Sequence, residues 1–186
     1  MLVGALAELG GTYLEVEGKV ATRQSRRVSD LANDEDELLD LKEARLRVHD
    51  GDGLWDSVSA LTLNRAEILL LIPIEEVHAG RPDLRAPGRK VRVKLFCGPL
   101  QVSGFVTVPI EQTVSSWHRT TRQRFLAVTQ ARVQPIQRDL KLRDGDGFYA
   151  IALINRRRLT ALIETRPPQR ETESAGRRAP DSQASD

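Results

Sequence analysis

Aromatic residues make up only 4% of this 186-residue chain, so any core must be built mainly from Val, Leu and Ile. There is one cysteine, Cys97, which excludes an internal disulfide and fits a reducing, cytoplasmic setting. No apolar run approaches the roughly 18–20 residues of a membrane-spanning helix. The start, MLVGALAELGG, lacks the basic stretch of a secretory leader and meets Glu8 early, so it reads as an ordinary soluble start. The three histidines, His49, His78 and His118, are far apart, and none stands at a metal-binding spacing with Cys or carboxylates. Cys97 lies between Phe96 and Gly98-Pro99 with no basic partner nearer than Lys94, which suits a buried thiol rather than a nucleophile. Phosphate-binding glycine loops, a nucleophile elbow and helical His-Glu pairs are all missing. The expectation is a protein without cofactor, metal or catalysis. Lysine is scarce too: arginine supplies 23 of the 28 basic residues.

What the chain does have is internal recurrence. LEVEGKV (14–20) aligns with LQVSGFV (100–106) at an offset of 86, which also brings Val28-Ser29 onto Val114-Ser115 and Leu31 onto Trp117. One residue later, LLDLKEARLRV (38–48) aligns with FLAVTQARVQP (125–135). DGDGLW (50–55) recurs as DGDGFY (144–149), and Asn64-Arg65 recurs as Asn155-Arg156 ahead of an apolar run. Five matches in one order point to a duplicated unit, each copy burying its own core.

Alternation at Leu14/Val16, Val91/Val93/Leu95 and Leu100/Val102 predicts strands with one buried face. Gly18 and Gly104 fall inside strands, where they point to a bulge or a sharp coil of the sheet. A short helix is predicted after the first strand, capped by Ser29 or Asn33, with Asp34, Glu35 and Asp36 at its positive end. Strands over 44–49 and 58–63 follow, then a tight Asn64-Arg65 turn, then a strand over 67–74 whose unbroken apolar run ILLLIPI implies burial on both faces. Residues 5–9, ALAEL, make a poor strand. The predicted fold is therefore mainly β: two tandem small antiparallel β barrels or sandwiches related by internal duplication, each with a short helical turn. The first repeat spans 1–77, a Pro/Gly-rich linker 78–90, the second repeat 91–165, and a tail with little to bury 166–186, expected to be disordered.

The tetrapeptide DGDG places acids at alternate positions, as calcium loops do, but nothing nearby completes six or seven oxygen ligands. Asp-Gly is also a strong hairpin turn, and that reading is preferred. Charge divides the copies. Residues 12–77 carry a net −7, whereas 90–165 carry a net +8. The reversal falls at equivalent places: Asp34, Glu35, Asp36 and Glu37 form an acidic face where the second copy has Arg119, Arg122 and Arg124. Asn155, Arg156, Arg157 and Arg158 add a second basic turn. These arginines, with Trp117 and Phe125 close in sequence, are the candidate contacts for nucleic acid or another anionic partner. Faces of opposite sign also suit protein partners or a second copy.

At Arg27, Ser29, Asp30, Leu31 and Asn33, followed by Leu39, Leu41 and Ala44 and then Asn64-Arg65, the chain resembles a bacterial domain-of-unknown-function family of small β proteins. That family carries an Arg-x-Ser-Asp-Leu-x-Asn stretch; Ala32 departs from its usual Leu, and the second copy keeps only Val114, Ser115 and Trp117. The resemblance covers most of residues 12–165 and implies no activity. The strand order is also similar to Sm-like small barrels, whose final turn contacts RNA. Arg23 and Arg27 have the Arg-x-x-x-Arg spacing of cyclic-dinucleotide (PilZ-type) domains, but the second motif of those domains is absent. The expected function is a non-enzymatic scaffold or adaptor that binds protein partners or itself; the alternative is an Sm-like RNA- or DNA-binding module using the basic repeat.

Overall fold

The computed structural model describes residues 1–20, 27–49, 53–75, 87–137, 140 and 147–165. Residues 50–52 and 144–146 of the two DGDG stretches, most of the expected linker, and the 166–186 tail lie outside these. Among the described residues there are ten strands: β1 Leu2–Leu9, β2 Thr12–Val20, β3 Leu38–Val48, β4 Asp56–Asn64, β5 Ile68–Pro73, β6 Gly88–Cys97, β7 Leu100–Pro109, β8 Phe125–Pro135, β9 Phe148–Asn155 and β10 Leu159–Glu164. Two short helices, α1 Val28–Ala32 and α2 Val114–Thr120, follow β2 and β7, and a single 3₁₀ turn, Arg156–Arg158, joins β9 to β10. Among the described residues no helix is long and apolar enough to cross a membrane.

All ten strands belong to one antiparallel sheet, ordered β10-β6-β7-β8-β9-β5-β1-β2-β3-β4. Within it, two five-strand sets have the same internal order: the fifth strand folds back beside the first, and the second, third and fourth follow in sequence. β5 and β9 pair at the seam, with Leu70 opposite Ile154 and Leu71 opposite Leu153. The sheet is open, and β4 and β10 are its edges.

Register recurs between the sets to the residue. β2 loses register against β3 between Glu17 and Lys19, and β7 against β8 between Ser103 and Phe105. The skipped residues are Gly18 and Gly104, the bulge glycines expected from the sequence. A Cβ at Gly104 would sit 2.8 Å from the Thr129 carbonyl oxygen, so the strands close there only over a bare Cα. Opposite each bulge, Glu43 and Gln130 adopt positive φ (48° and 50°), the only non-glycine residues that do so among those described. A second shift, in the fifth strand, leaves Leu69 and Thr160 unpaired at matching places.

Several local expectations are corrected. Residues 2–9 form a full strand, because β1 is paired on both sides and its Val3, Ala5, Leu6 and Ala7 are buried. Alanine's weak strand preference is overridden by that context. α1 starts at Arg27, not Ser29 or Asn33: Arg27 is the N-cap, its N–H donates to the Asp30 carboxylate, and Asn33 is the C-cap. The acidic residues 34–37 therefore follow the helix. β3 begins at Leu38, six residues before the expected strand, and β6 begins at Gly88, inside the stretch read as linker. The run at 68–73 is flanked by β1 and β9, and Ile68, Leu69, Leu70 and Leu71 are buried, as its unbroken apolarity implies.

The core has two parts, and neither is private to one set. One gathers Val91, Val93, Leu95 and Val102 of the second set around Leu6, Leu69 and Leu70 of the first. The other gathers Val3, Val16, Leu41 and Ile68 around Phe125 and Leu153 of the second. Burying an aliphatic side chain fully contributes about 1.5–3 kcal/mol, and Leu69, Leu153 and Ile154 beside the seam are fully buried.

Candidate interaction surfaces

The Asn-Arg turn does the same local work twice. Asn64 Oδ1 accepts from Ala66 N at 2.9 Å, and Asn155 Oδ1 accepts from Arg157 N at 3.0 Å. Arg65 donates to the carbonyls of Asp34 and Asp36, and Arg156 to those of His118 (3.1 Å) and Gln123 (3.1 Å). Each arginine thus pins the loop between its helix and third strand. Arg65 is buried, which lowers its pKa, while Asp36 and Asp34 oppose the shift.

The asparagines differ at one atom. Asn155 is fully buried at the seam, and its Nδ2 donates to the carbonyls of Arg65 (3.2 Å), Ala66 (3.3 Å) and Ile68 (2.8 Å) in the first set. Other contacts cross the same boundary. Asn33 of the Arg-x-Ser-Asp-Leu-x-Asn stretch makes two hydrogen bonds with the Phe125 backbone, Nδ2 donating to its O at 3.1 Å and Oδ1 accepting from its N at 2.7 Å. Arg124 donates to the Asp36 carbonyl at 3.3 Å. Arg158 forms ion pairs with Glu8 and with Glu67, the latter at 3.4 Å. The acidic loop of one set thereby rests on the basic side of the other.

Of the candidate basic residues, Arg119, Arg122 and Arg157 are exposed, whereas Arg124, Arg156 and Arg158 are half-buried in the contacts just described. Glu35, Asp36 and Glu37 are exposed and Asp34 is half-buried. Arg27 and Asp30 serve the helix cap, and Ser29 accepts from Asn33. Phe125 is buried and Trp117 is half-buried against the core, so the two rings are packing elements rather than open stacking platforms. The aromatics after the DGDG stretches have another role: Arg45 and Arg47 lie over the Trp55 ring (5.4 and 5.0 Å), and Arg132 lies over Phe148 (5.2 Å). Arg45 and Arg132 are the aligned arginines of the two sets. Sequence reasoning found them only as repeat markers.

Groups with reactive potential are muted. Cys97 is buried, and burial pushes its pKa up to about 12, so it stays a thiol at neutral pH. His49 Nε2 lies 3.3 Å from a Glu15 oxygen, itself paired with Arg47; desolvation nevertheless lowers the His49 pKa. His118 is lowered by burial and by Arg156, and His78 falls outside the described residues. An open recess lies beside Gly10, Gly11, Tyr13, His49 and Gln137. Among the described residues no three His, Cys, Asp or Glu side chains converge for a metal. Gly53 and Gly147, which close the two DGDG stretches, have positive φ (70° and 58°), a conformation open to glycine; the turn reading itself falls on residues 50–52 and 144–146, outside those described.

Compared with known proteins, the chain matches no family model, no curated protein and no solved structure.

Proposed function

We propose that the chain is a non-enzymatic cytoplasmic scaffold that binds protein, a second copy of itself first of all, through faces of opposite charge. The two five-strand sets are read as descendants of one duplicated segment related to small Sm-like barrels, whose exteriors have diverged in sign. Support comes from contacts between the sets: Arg124 donates to the Asp36 carbonyl, Asn33 holds the Phe125 backbone, and Arg158 pairs with Glu8 and Glu67. The same recognition is available again wherever the exposed Glu37 of one molecule meets the exposed Arg119 and Arg122 of another. Light scattering across a salt series tests this reading. Assembly above monomer mass at low salt and micromolar concentration is expected, weakening as salt screens the pairs; a monomer throughout overturns it.

One observation favours a second reading. The Arg156 bonds to His118 and Gln123 draw the loop bearing Arg119 and Arg122 beside the turn bearing Arg157, making one basic patch. Phosphate contacts by that patch would give RNA or DNA affinity that falls steeply with salt. Filter binding with Arg119→Ala/Arg157→Ala decides it: unchanged affinity removes the patch.

A further inference from the structure

The seam inside the molecule is a pairing of one set's fourth strand, β9, with the other set's fifth strand, β5. The two open edges are the remaining fourth strand, β4, and the remaining fifth strand, β10. One molecule therefore ends in the two halves of the interface it already contains. From this we infer that copies join head to tail, β4 of one against β10 of the next, repeating the internal seam. The inference rests on the self-association proposed above and names its surface.

Transferring the register fixes the contacts. Shifted by the recurrence between sets, Leu70/Ile154 and Leu71/Leu153 become Ala161/Leu63 and Leu162/Thr62 between molecules. Asn64 takes the place of Asn155. Its Oδ1 is used in its own turn, but among the described residues its Nδ2 donates to nothing, and the residue is exposed. In the joined pair it reaches the carbonyls of Arg156, Arg157 and Leu159 of the next copy.

Three further features fit a second copy as the occupant. Phe125, under the seam, is 1% exposed, whereas its counterpart Leu38 at the open end is 48% exposed. Ile163 at the opposite edge is 46% exposed. Charge fits as well: within the molecule Arg124 donates to a carbonyl of the acidic loop, and between molecules the Arg119/Arg122 loop meets Glu37, the residue aligned with Arg124. Arg158, which pairs with Glu67 across the seam, faces the Glu67 of the neighbour. The contact is heterologous, so repetition closes into a ring where the turn per copy divides a full circle and grows into a filament where it does not. A closed ring always holds an even number of five-strand sets.

The test mixes two full-length variants, Thr62→Cys and Leu162→Cys, at a salt concentration where light scattering reports assembly. Mild oxidation is expected to give a covalent heterodimer, with each variant oxidised alone remaining monomeric on a denaturing gel. Asn64→Ala is expected to weaken association by about tenfold while the monomer stays folded. Assembly without the heterodimer, or with Asn64→Ala assembling as wild type, overturns the edge pairing and leaves the charged-face scaffold standing. A monomer at every salt concentration overturns both.

Discussion

Replacing Asn155 by alanine separates the seam from everything local. The side chain is fully buried, donates to three carbonyls of the first set and accepts once from Arg157 N. A protein hydrogen bond contributes about 0.5–1.5 kcal/mol net, and the two longer donations stand at the weak end of that range. Removing all four, with the Ile68 carbonyl left buried and unpaired, is expected to cost about 3 kcal/mol. Asn64→Ala is the internal control. It loses the same local bond, to Ala66 N, with no cross-seam donation inside one molecule, and about 1 kcal/mol or less is expected. The difference of about 2 kcal/mol measures the seam.

Urea unfolding at high salt, where association is suppressed, is the assay. Trp55 lies in the first set and Trp117 in the second, so Trp117→Phe and Trp55→Phe backgrounds report each set separately. If the seam couples the sets, both probes shift to lower urea together in Asn155→Ala, with the slope little changed. Equal losses for Asn155→Ala and Asn64→Ala would refute the reasoning, since the two asparagines share the local bond and only Asn155 is buried and donates across the seam.

Two further outcomes follow from local geometry. Gly53 and Gly147 end the two DGDG stretches at similar positive φ, but a Cβ at Gly53 meets nothing within 4 Å, whereas one at Gly147 lies 2.1 Å from the Val133 carbonyl oxygen. Gly53→Ala is expected to cost about 1 kcal/mol of left-handed strain and Gly147→Ala about 3 kcal/mol or more, read by thermal unfolding; equal costs would count against the close approach of Gly147 to Val133. For His49 and His118, burial holds the folded pKa below the ordinary 6.5, so the unfolded chain binds more protons under that pH. Stability is then expected to fall as pH drops below 6.5, and less steeply in His49→Gln/His118→Gln; identical acid limbs would contradict it.

The sequence announces those features of the fold that depend on neighbours along the chain. Alternation marks Val91, Val93 and Leu95, and an isolated glycine inside a strand marks each bulge, because both signals are local. What it hides depends on partners far away. β1 is a strand because β2 and β5 flank it, and nothing in ALAEL records that. The unbroken apolar run at 68–73 predicts two covered faces without saying that β9, more than 80 residues later, supplies one edge. Asn155 is legible as a turn residue, but the reach of its amide across the seam is a property of packing. Arg156 reads as an exposed cation and instead holds two backbone carbonyls.

The charge reversal acquires a physical role once the seam is known. Two sets of the same shape would pair in either polarity if only strand edges mattered, and like edges could also meet, β4 with β4. A β4–β4 contact would bring Glu37 of each molecule near the other, and a β10–β10 contact would do the same for Arg157 and Arg158. Like charges in apposition are costly, and more so where burial weakens screening. The opposite signs at aligned positions leave the head-to-tail polarity as the favourable one, both inside the chain at Glu67 and Arg158 and in the inferred contact at Glu37 and Arg119. In the proposed assembly, opposite charge at aligned positions would make each end of the molecule favour the other end over a copy of itself, which two identical sets could not do.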